Sequence, residues 1–382
     1  MARNSIAGID IGSFATKVVV ADLSPKEPAK IIGGGTAESK GVRQGFVTNT
    51  EEVVRSLKKA LVEAEKNSET KIRKVVLAVD GISLNSEVTG GTAIISRADK
   101  EVSDLDVARA ISESEDVVSQ VNKKIIHVIP LSYKLDNQEV LGRPEGMRGI
   151  KLEVKTLFVT CQQQHIDDLV EAVQKTGVEV IDIIASPLAL ALLALTNKER
   201  QAGCILIDIG AETTNVAVFE NNSLQSLHVF GIGSADITKD IALGLKISLD
   251  EAESLKQGRV ALDHPKKRLE DIIEARYEDI FELVEEYLEK IGRSRLLPAG
   301  AILTGGGASY PNIKEVAKRI LKLPVDVATM KLDVNKKVLD QSLFVAAALA
   351  LGSQANERFQ KDTGLLKNIK KNVKSLIDQL LP

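Results

Sequence analysis

Two short segments of the chain place an aspartate, a glycine and hydroxyl residues directly after an apolar run. Asp10, Gly12 and Ser13 belong to the first segment, and Asp208 and Gly210 belong to the second. A hairpin that turns sharply at glycine can direct backbone N–H groups at a phosphate, and a nearby aspartate can hold Mg²⁺ through water. Each segment therefore predicts half of a polyphosphate site, although an ordinary hairpin capped by Asp and Gly has the same pattern.

The candidate ligand-binding residues of the two hairpins offer backbone N–H groups, hydroxyls or charge near the turn. They are Asp10, Gly12, Ser13, Phe14, Thr16 and Lys17 in the first hairpin, and Asp208, Gly210, Thr213 and Thr214 in the second. Asp10 and Asp208 are the candidate Mg²⁺ residues. The run Ile-Asp-Ile-Gly occurs at both 9–12 and 207–210, which predicts two related halves facing each other across a cleft.

A third segment places consecutive glycines, Gly305, Gly306 and Gly307, after another apolar run. Glycines at the end of a strand allow a flat nucleoside to approach the backbone closely. A triple glycine alone is usually only a loop. The order of hairpin, hairpin and glycine loop is a more specific signal.

Composition and charge narrow the class of protein. The chain has 382 residues, 44% of them hydrophobic, which predicts more than one domain with a substantial core. A net charge of −3, 3% aromatic residues and no Trp argue against nucleic acid as a partner. Cys161 and Cys204 lie outside any CxxC pair, which favours a reducing cytosol. No signal peptide or spanning apolar run is evident, so any membrane contact is expected at the surface.

Elements that could position these residues follow an α/β pattern. Strands are predicted at 6–11, 17–21, 30–34, 75–79, 178–184, 204–209, 215–220 and 301–303, with helices at 51–67, 165–176, 187–195 and 341–352. Thr50 is the predicted cap of the first helix. Between 81 and 160 the pattern changes to strands around one helix at 103–118, which predicts a small α+β insertion.

The order of the three segments resembles that of the actin and sugar-kinase superfamily. The resemblance implies a two-lobed, ribonuclease H-like α/β fold that binds ATP and Mg²⁺ between its lobes. Glu253 and Lys256 resemble the Glu-x-x-Lys helix that reaches the ribose and adenine in that superfamily. A solvated charged helix face would give the same pair.

Within the superfamily, the chain resembles the FtsA family over nearly its whole length. The resemblance lies in the run His127-Val128-Ile129-Pro130 with Tyr133, in Gly146-Met147-Arg148-Gly149, and in Glu274-Ala275-Arg276-Tyr277, which is similar to a Glu-Pro-Arg-Tyr helix. It implies an insertion domain in place of the one that actin carries. It also implies a protein that polymerises at the cytoplasmic face of the cell membrane and tethers the tubulin-like FtsZ filament at the division site.

The family resemblance implies a set of domain boundaries. Lobe one (1A) spans 1–81 and 161–196, the insertion domain (1C) 82–160, lobe two (2A) 197–225 and 299–353, a partner-binding domain (2B) 226–298, a linker 354–364 and a terminal helix 365–382. In the partner-binding domain, Arg268 and Arg276 could meet the acidic C-terminal peptide of FtsZ.

Two departures from the family pattern bear on hydrolysis. Many relatives read Asp-x-Gly-Gly-Gly-Thr-x-Asp at the second hairpin, where this chain has Ala211, Glu212 and Asn215. A carboxylate at Glu212 would repel phosphate unless Mg²⁺ or a different rotamer intervened. The run at 183–187 offers no carboxylate or Gln to orient a water. We therefore expect ATP binding with slow or no hydrolysis.

The end of the chain predicts an amphipathic helix. Its apolar residues fall within an arc of about 160° at 100° per residue, and lysines flank the arc. The candidate membrane residues are Leu366, Ile369, Lys370, Val373, Leu376, Ile377 and Leu380. The pattern favours a helix lying on an anionic membrane surface, although a helix that docks on the protein itself or on a partner would look similar.

Two other functions remain open on the sequence. A PilM-like component of a type IV pilus platform shares the hairpins and an insertion domain, but the His-Val-Ile-Pro run and the basic tail favour FtsA. A sugar or acetate kinase would require a catalytic carboxylate and a substrate pocket in the cleft. The sequence offers no candidate for the catalytic carboxylate or for the substrate pocket.

Overall fold

The structure is a computed structural model that describes residues 5–24, 29–118, 121–259, 266–329, 333–334, 337–338 and 341–352. The predicted linker at 354–364 and the amphipathic tail at 365–382 lie outside these ranges. Among the described helices, none is long and apolar enough to cross a bilayer.

The first lobe begins with a sheet covered by one helix. Its elements are β1 (Ser5–Ile11), β2 (Ala15–Asp22), β3 (Lys30–Glu38), β4 (Val42–Arg43), β5 (Phe46–Val47), α1 (Thr50–Ser68) and β6 (Lys74–Val79). Strands β1, β2 and β3 pair antiparallel, whereas β6 pairs parallel with β1.

Helix α1 starts one residue earlier than its cap prediction implies. The Asn49 side chain accepts a hydrogen bond from the Glu52 N–H, and Asn49 has the extended backbone of a capping residue. Thr50 is already helical, so the prediction that it caps the helix is wrong. The helix packs closely on β3 because Gly35 has no side chain; a Cβ there would lie 2.2 Å from the Ala60 carbonyl oxygen.

The insertion has a separate sheet with its own small core. Its elements are β7 (Asn85–Ile94), α2 (Asp104–Asp116), β8 (Lys123–Leu135), β9 (Gln138–Val140) and β10 (Lys151–Gln162). The strands are antiparallel in the order β7-β10-β8-β9. Helix α2 covers this sheet, with Val107 and Ala110 buried against Leu152 and Val154.

The chain then completes the first lobe and builds the second. The elements are α3 (Gln163–Gln174), β11 (Glu179–Ala185), α4 (Ser186–Ala194), α5 (Asn197–Ala202), β12 (Cys204–Ile209), β13 (Thr214–Glu220), β14 (Ser223–Phe230), α6 (Ser234–Leu245), α7 (Leu249–Lys256), α8 (Lys266–Lys290), β15 (Gly300–Thr304), α9 (Ile313–Leu321), β16 (Val325–Val327), β17 (Asp333–Val334), β18 (Lys337–Val338) and a helix at 344–352, α10. The charged stretch before β15 contains the separate helices α7 and α8.

The two main sheets have the same topology. The first has the order β3-β2-β1-β6-β11 and the second the order β14-β13-β12-β15-β16. In each sheet an antiparallel meander is followed by two strands that pair parallel. The predicted relation between the two halves of the chain is therefore confirmed.

A shared apolar core joins the lobes beneath the cleft. It contains strand residues of both sheets, including Val18, Leu77, Leu206 and Phe219. Helix α10 packs directly on β1, and Gly8 makes this close approach possible. A Cβ at Gly8 would lie only 2.1 Å from the Ala346 carbonyl oxygen. The cleft residues are thus mounted on sheets that share a rigid base.

Candidate functional site

The two predicted hairpins have matching turns. The Gly12 N–H donates to the Ala15 carbonyl at 3.2 Å, and the Gly210 N–H donates to the Thr213 carbonyl at 2.8 Å. Each turn directly follows the first strand of its sheet, so the hairpins occupy equivalent positions in the two lobes. This is the arrangement expected if both hairpins hold one ligand between them.

Charged and amide side chains from both hairpins gather at the centre of the cleft. Asp10 is opposite Lys17 in the first hairpin, and the Lys17 Nζ lies 2.9 Å from the Asp10 Oδ2. Asp208 is opposite Asn215 in the second hairpin, with 3.5 Å between the Asn215 Nδ2 and the Asp208 Oδ2. Lys17 and Asn215 therefore hold equivalent positions in the two halves.

Asp80 is a cleft residue that the sequence analysis missed. It follows β6, and its Oδ2 accepts a hydrogen bond of 3.0 Å from the Asn215 Nδ2 in the other lobe. The sequence analysis looked for a further cleft carboxylate only at 183–187, whereas the structure has one at the end of β6. A signal was present, since Asp80-Gly81 repeats the pairing of aspartate and glycine at a strand end.

The electrostatics of this group reflect burial and crowding of like charge. Burial, together with the neighbouring Asp80 carboxylate, raises the pKa of Asp208 to about 7. Burial likewise raises the pKa of Asp80. For Lys17, burial disfavours the ammonium, but Asp10, Asp208 and Asp80 more than compensate and raise its pKa. The cation at Lys17 therefore partly neutralises the acids.

Polar atoms beside these acids lack partners. The Asn215 Oδ1 and the Thr304 Oγ1 are buried without a hydrogen bond to any residue that the structure describes, and each residue is only 1% exposed. Thr304 pairs with Asp208 in the parallel β12–β15 ladder, so their side chains lie on the same face of the sheet. Buried groups of this kind indicate a ligand or solvent partner.

The glycine loop divides into packing glycines and an open one. A Cβ at Gly305 would lie 2.4 Å from the Asp208 Oδ1, and one at Gly307 would lie 2.4 Å from the Ile209 Cγ2. The second hairpin therefore leaves no room for a side chain at Gly305 or Gly307. Among the described residues, nothing lies within 4 Å of a Cβ built at Gly306, so this position faces space where a flat ligand could lie.

Glu212 points across the cleft, away from its own turn. Its Oε2 accepts a hydrogen bond of 2.6 Å from the Gln44 N–H in the first lobe. This is the turned-away arrangement that would spare a phosphate from direct repulsion. Gln44 and Glu212 also line a cavity of about 350 Å³ between the lobes, together with Arg43 and Lys239.

Hydroxyl and aromatic residues of the hairpins differ in their exposure. Phe14 is 64% exposed at the first turn, next to the half-buried Ser13. Thr16 is fully buried and bonded to Ser39, so the expectation that its hydroxyl faces a phosphate is wrong. Thr213 is buried, and Thr214 is fully buried with its hydroxyl donating to the Ile232 carbonyl. The Thr214 hydroxyl is therefore already engaged within the protein.

Glu253 and Lys256 form an ion pair on α7. The Lys256 Nζ lies 2.7 Å from the Glu253 Oε2, and it donates to the Ser234 carbonyl at 2.9 Å. The Thr238 hydroxyl donates to the same glutamate at 2.5 Å. These contacts tie α7 to the first turns of α6, whose amino end donates hydrogen bonds to Gly210 and Ala211 of the second hairpin.

Arg268 and Arg276 both lie on α8 and both reach α6. The Arg276 guanidinium makes two hydrogen bonds, 2.6 and 3.0 Å long, to the Asp240 carboxylate. Arg268 donates to the Gly244 carbonyl at 2.7 Å. The two arginines therefore share one side of α8, and Arg276 already has an acidic partner.

Comparisons with solved structures identify the class. The PilM–PilN type IV pilus biogenesis complex is similar at a TM-score of 0.69 and 20% identity, covering 91% of this chain and 97% of that one. MreB5 of Spiroplasma citri bound to ADP is similar at a TM-score of 0.56 and 14% identity, covering 94% and 99%. With its duplicated sheets and facing hairpins, the molecule is an actin-like protein.

Sequence comparisons identify the family. Residues 205–349 match the family model for cell division protein FtsA, and residues 81–160 match the SHS2 domain inserted in FtsA. The chain is 33% identical over 343 residues to the cell division protein FtsA of Bacillus subtilis, covering 84% of this chain and 78% of that protein. This chain belongs to the FtsA family of bacterial cell-division proteins. The PilM likeness, at 20% identity, reflects a shared fold.

Proposed function

We propose that this protein binds Mg²⁺-ATP between its lobes and, as an FtsA-family adaptor, holds an FtsZ filament at the cytoplasmic face of the membrane during cell division. Nucleotide binding is supported above all by the matched pair of hairpins. Their acids and Lys17 gather at one point between the lobes. The N–H groups of Gly12 and Gly210 are bonded within their turns, so other backbone N–H groups of the two turns would surround the phosphates. The free space at Gly306 would receive the nucleoside.

The residues at the cleft centre suit Mg²⁺ held through water. Within the described residues, no group of three or more His, Cys, Asp or Glu side chains could hold a metal ion by itself. Mg²⁺ keeps several waters and combines one or two carboxylates with substrate phosphates. Asp10 and Asp208 would supply those carboxylates, and the unpartnered Thr304 hydroxyl and Asn215 carbonyl offer polar contacts beside them.

Nucleotide binding also has support from solved structures of the same fold. MreB5 of Spiroplasma citri has been solved with ADP and with AMPPNP, and each structure covers 94% of this chain at a TM-score of 0.56. For this chain we propose slow turnover or none. Glu212 replaces a glycine of the relatives' pattern and is bonded to Gln44 across the cleft, and Asp80 is bonded to Asn215.

The adaptor half of the proposal assigns a partner and an anchor. The segment 226–298 contains α6 and α8, where Arg268 and Arg276 would meet the acidic FtsZ peptide. When the peptide binds, Arg276 would have to contact both Asp240 and the peptide, or replace Asp240 with the peptide. The tail with Leu366, Ile369, Lys370, Val373, Leu376, Ile377 and Leu380 would lie on the anionic membrane surface. Self-association into a filament would multiply these weak contacts.

Gly306→Val tests the nucleotide site. Because no described residue lies within 4 Å of the added Cβ, this part of the protein has room for the new side chain. A bound nucleoside would not, so we expect ATP affinity to fall at least about tenfold, or 1.4 kcal/mol. The measurement is titration with a fluorescent ATP analogue.

Gly90→Val is the matched control, since Gly90 is exposed in β7 of the insertion and its added Cβ would make only ordinary contact at 3.7 Å. Its ATP affinity should equal that of the wild type. Wild-type affinity in folded Gly306→Val protein would contradict the assignment of the cleft.

A further inference from the structure

Asp80 links the two lobes inside the cleft. Its Oδ1 accepts a hydrogen bond of 2.6 Å from the Gly81 N–H, which fixes the carboxylate relative to the end of β6. Its Oδ2 accepts the 3.0 Å bond from Asn215, which belongs to the second hairpin. A carboxylate from lobe one is therefore held against the amide that also approaches Asp208 at 3.5 Å.

The polar groups around Asp80 are incompletely satisfied. Asn215 uses its amide N–H₂ group towards both acids, while its Oδ1 is buried with no partner in the described part of the chain. The Thr304 hydroxyl, on the same sheet face as Asp208, is also buried with no partner. Unsatisfied buried groups are costly in a native protein. Their position beside clustered carboxylates points to bound water around a cation.

Charge at the same place favours a divalent ion. Asp10, Asp80 and Asp208 all act on Lys17, so three carboxyl groups share one ammonium. Acids brought this close repel one another unless a cation lies among them. Direct coordination is not required, because Mg²⁺ commonly binds through its water shell.

We propose that Asp80 is a third acidic member of the Mg²⁺-nucleotide site, contributed by lobe one and positioned by Asn215 of lobe two, where it accepts hydrogen bonds from metal-bound water. This inference rests on the proposed nucleotide function. The acid lies at the facing strand end, and the amide at Asn215 donates to it. Metal binding would thereby draw on both lobes.

An exchange of the two side chains tests this directly. Asp80→Asn removes the carboxylate, Asn215→Asp adds one beside Asp208, and the double variant returns the same pair in reversed order. Binding of a fluorescent AMPPNP analogue is titrated with Mg²⁺ for each variant. Binding of Mn²⁺ alone, as a Mg²⁺ substitute, is followed by electron paramagnetic resonance.

We expect Asp80→Asn to raise the half-saturating Mg²⁺ concentration about tenfold, within the 10–100-fold range for groups that orient metal ligands. Nucleotide binding in EDTA should not weaken. The double variant should recover most of the Mg²⁺ affinity. Asp167→Asn, at an exposed acid on α3, is the matched control and should behave as wild type.

The outcomes separate this inference from the function on which it rests. If the wild type binds no nucleotide with or without Mg²⁺, the proposed function and this inference both fail. If the wild type binds Mg²⁺-nucleotide and folded Asp80→Asn shows the same Mg²⁺ dependence, only the role of Asp80 is overturned, and its bond to Asn215 is a simple tether. Failure of the double variant to recover Mg²⁺ affinity would also overturn it.

Discussion

His127 joins the insertion to the first lobe. Its Nε2 accepts a hydrogen bond of 3.0 Å from the Ala185 N–H, at the point where β11 leads into α4. Its Nδ1 is buried with no partner. The sequence favours a core residue over a catalytic one at this position, and the residue is only 4% exposed in the structure. Burial lowers the pKa of His127 to about 3.

This depressed pKa predicts acid sensitivity. An unfolded histidine takes up a proton near pH 6.5, whereas the folded protein excludes it until about pH 3. The unfolded state therefore binds more protons between these values, so stability is full above pH 6.5 and falls as the pH drops. We expect His127→Gln to reduce the loss of unfolding free energy between pH 7 and pH 5 by about 1–2 kcal/mol. Urea denaturation at each pH measures it.

His228 provides the comparison for that experiment. It lies in β14, is less buried, and stacks on Tyr287 with ring centroids 5.1 Å apart. Its pKa is also lowered, by burial and by Lys290. His228→Gln should therefore change the pH dependence less than His127→Gln. Equal slopes for the wild type and His127→Gln would contradict the assignment of the acid sensitivity to His127.

The sequence was informative about site residues only where the signal is local. The hairpin aspartates and glycines are recognisable because strand, turn and strand are adjacent in the chain. Asp80 meets Asn215 at a separation of 135 residues, and Gln44 meets Glu212 at a separation of 168. Such contacts depend on how the lobes face each other, which local spacing does not encode. Thr16 was misassigned for a related reason, since its partner Ser39 follows β3, 23 residues further along the chain.

Among the elements, helix α6 connects the second hairpin to the proposed peptide site. Its amino end donates from Ser234 to the Gly210 carbonyl and from Ala235 to the Ala211 carbonyl. Towards its carboxyl end, Asp240 and Gly244 receive the hydrogen bonds of Arg276 and Arg268. A shift of the second hairpin on nucleotide binding would therefore reach the arginines through one helix.

The ion pair between Arg276 and Asp240 can be tested with a neutral variant. Such a variant avoids the repulsion that charge reversal would introduce between α6 and α8. Arg276→Met keeps the aliphatic stem but removes both bonds to Asp240. We expect a loss of about 0.5–1 kcal/mol in unfolding free energy. Affinity for a synthetic FtsZ C-terminal peptide should fall about tenfold, because a charge-assisted contact is lost. Urea denaturation and fluorescence anisotropy measure the two effects.

Two further variants make the result specific to the peptide site. The double variant Asp240→Arg, Arg276→Asp returns the ion pair in reversed order. It should restore stability but not peptide affinity. Arg319→Met removes an arginine of α9 that bonds Glu278 on α8, and it should leave peptide binding unchanged. Wild-type affinity in Arg276→Met would remove this residue from the interface.

Element order and type were largely predictable, because strand and helix periodicities differ clearly here. The first helix was predicted at 51–67 and spans Thr50–Ser68, and the insertion helix was predicted at 103–118 and spans Asp104–Asp116. The cap was misassigned because Asn49 and Thr50 are both good capping residues and only backbone geometry distinguishes them. The terminal helix remains a sequence prediction.

At the scale of the whole molecule, the duplicated lobes share a core below the cleft and make polar contacts across it. The core fixes the base, whereas the bonds from Gln44 to Glu212 and from Asp80 to Asn215 are few and close to the proposed phosphates. A ligand that competes for these groups would change the lobe contacts while leaving the base intact. This arrangement suits a protein whose nucleotide state controls assembly.

The central claim is that the protein joins an FtsZ filament to a membrane, and vesicle flotation tests it most directly. FtsZ filaments, Mg²⁺-ATP and vesicles with anionic lipid are mixed with the full chain and separated on a density gradient. The account predicts that FtsZ floats with the vesicles only when this protein is present. Leu376→Glu, which places a charge in the apolar arc, should leave both proteins at the bottom, whereas Ser375→Glu on the polar side should not. Vesicles that carry this protein but leave FtsZ at the bottom would contradict the account.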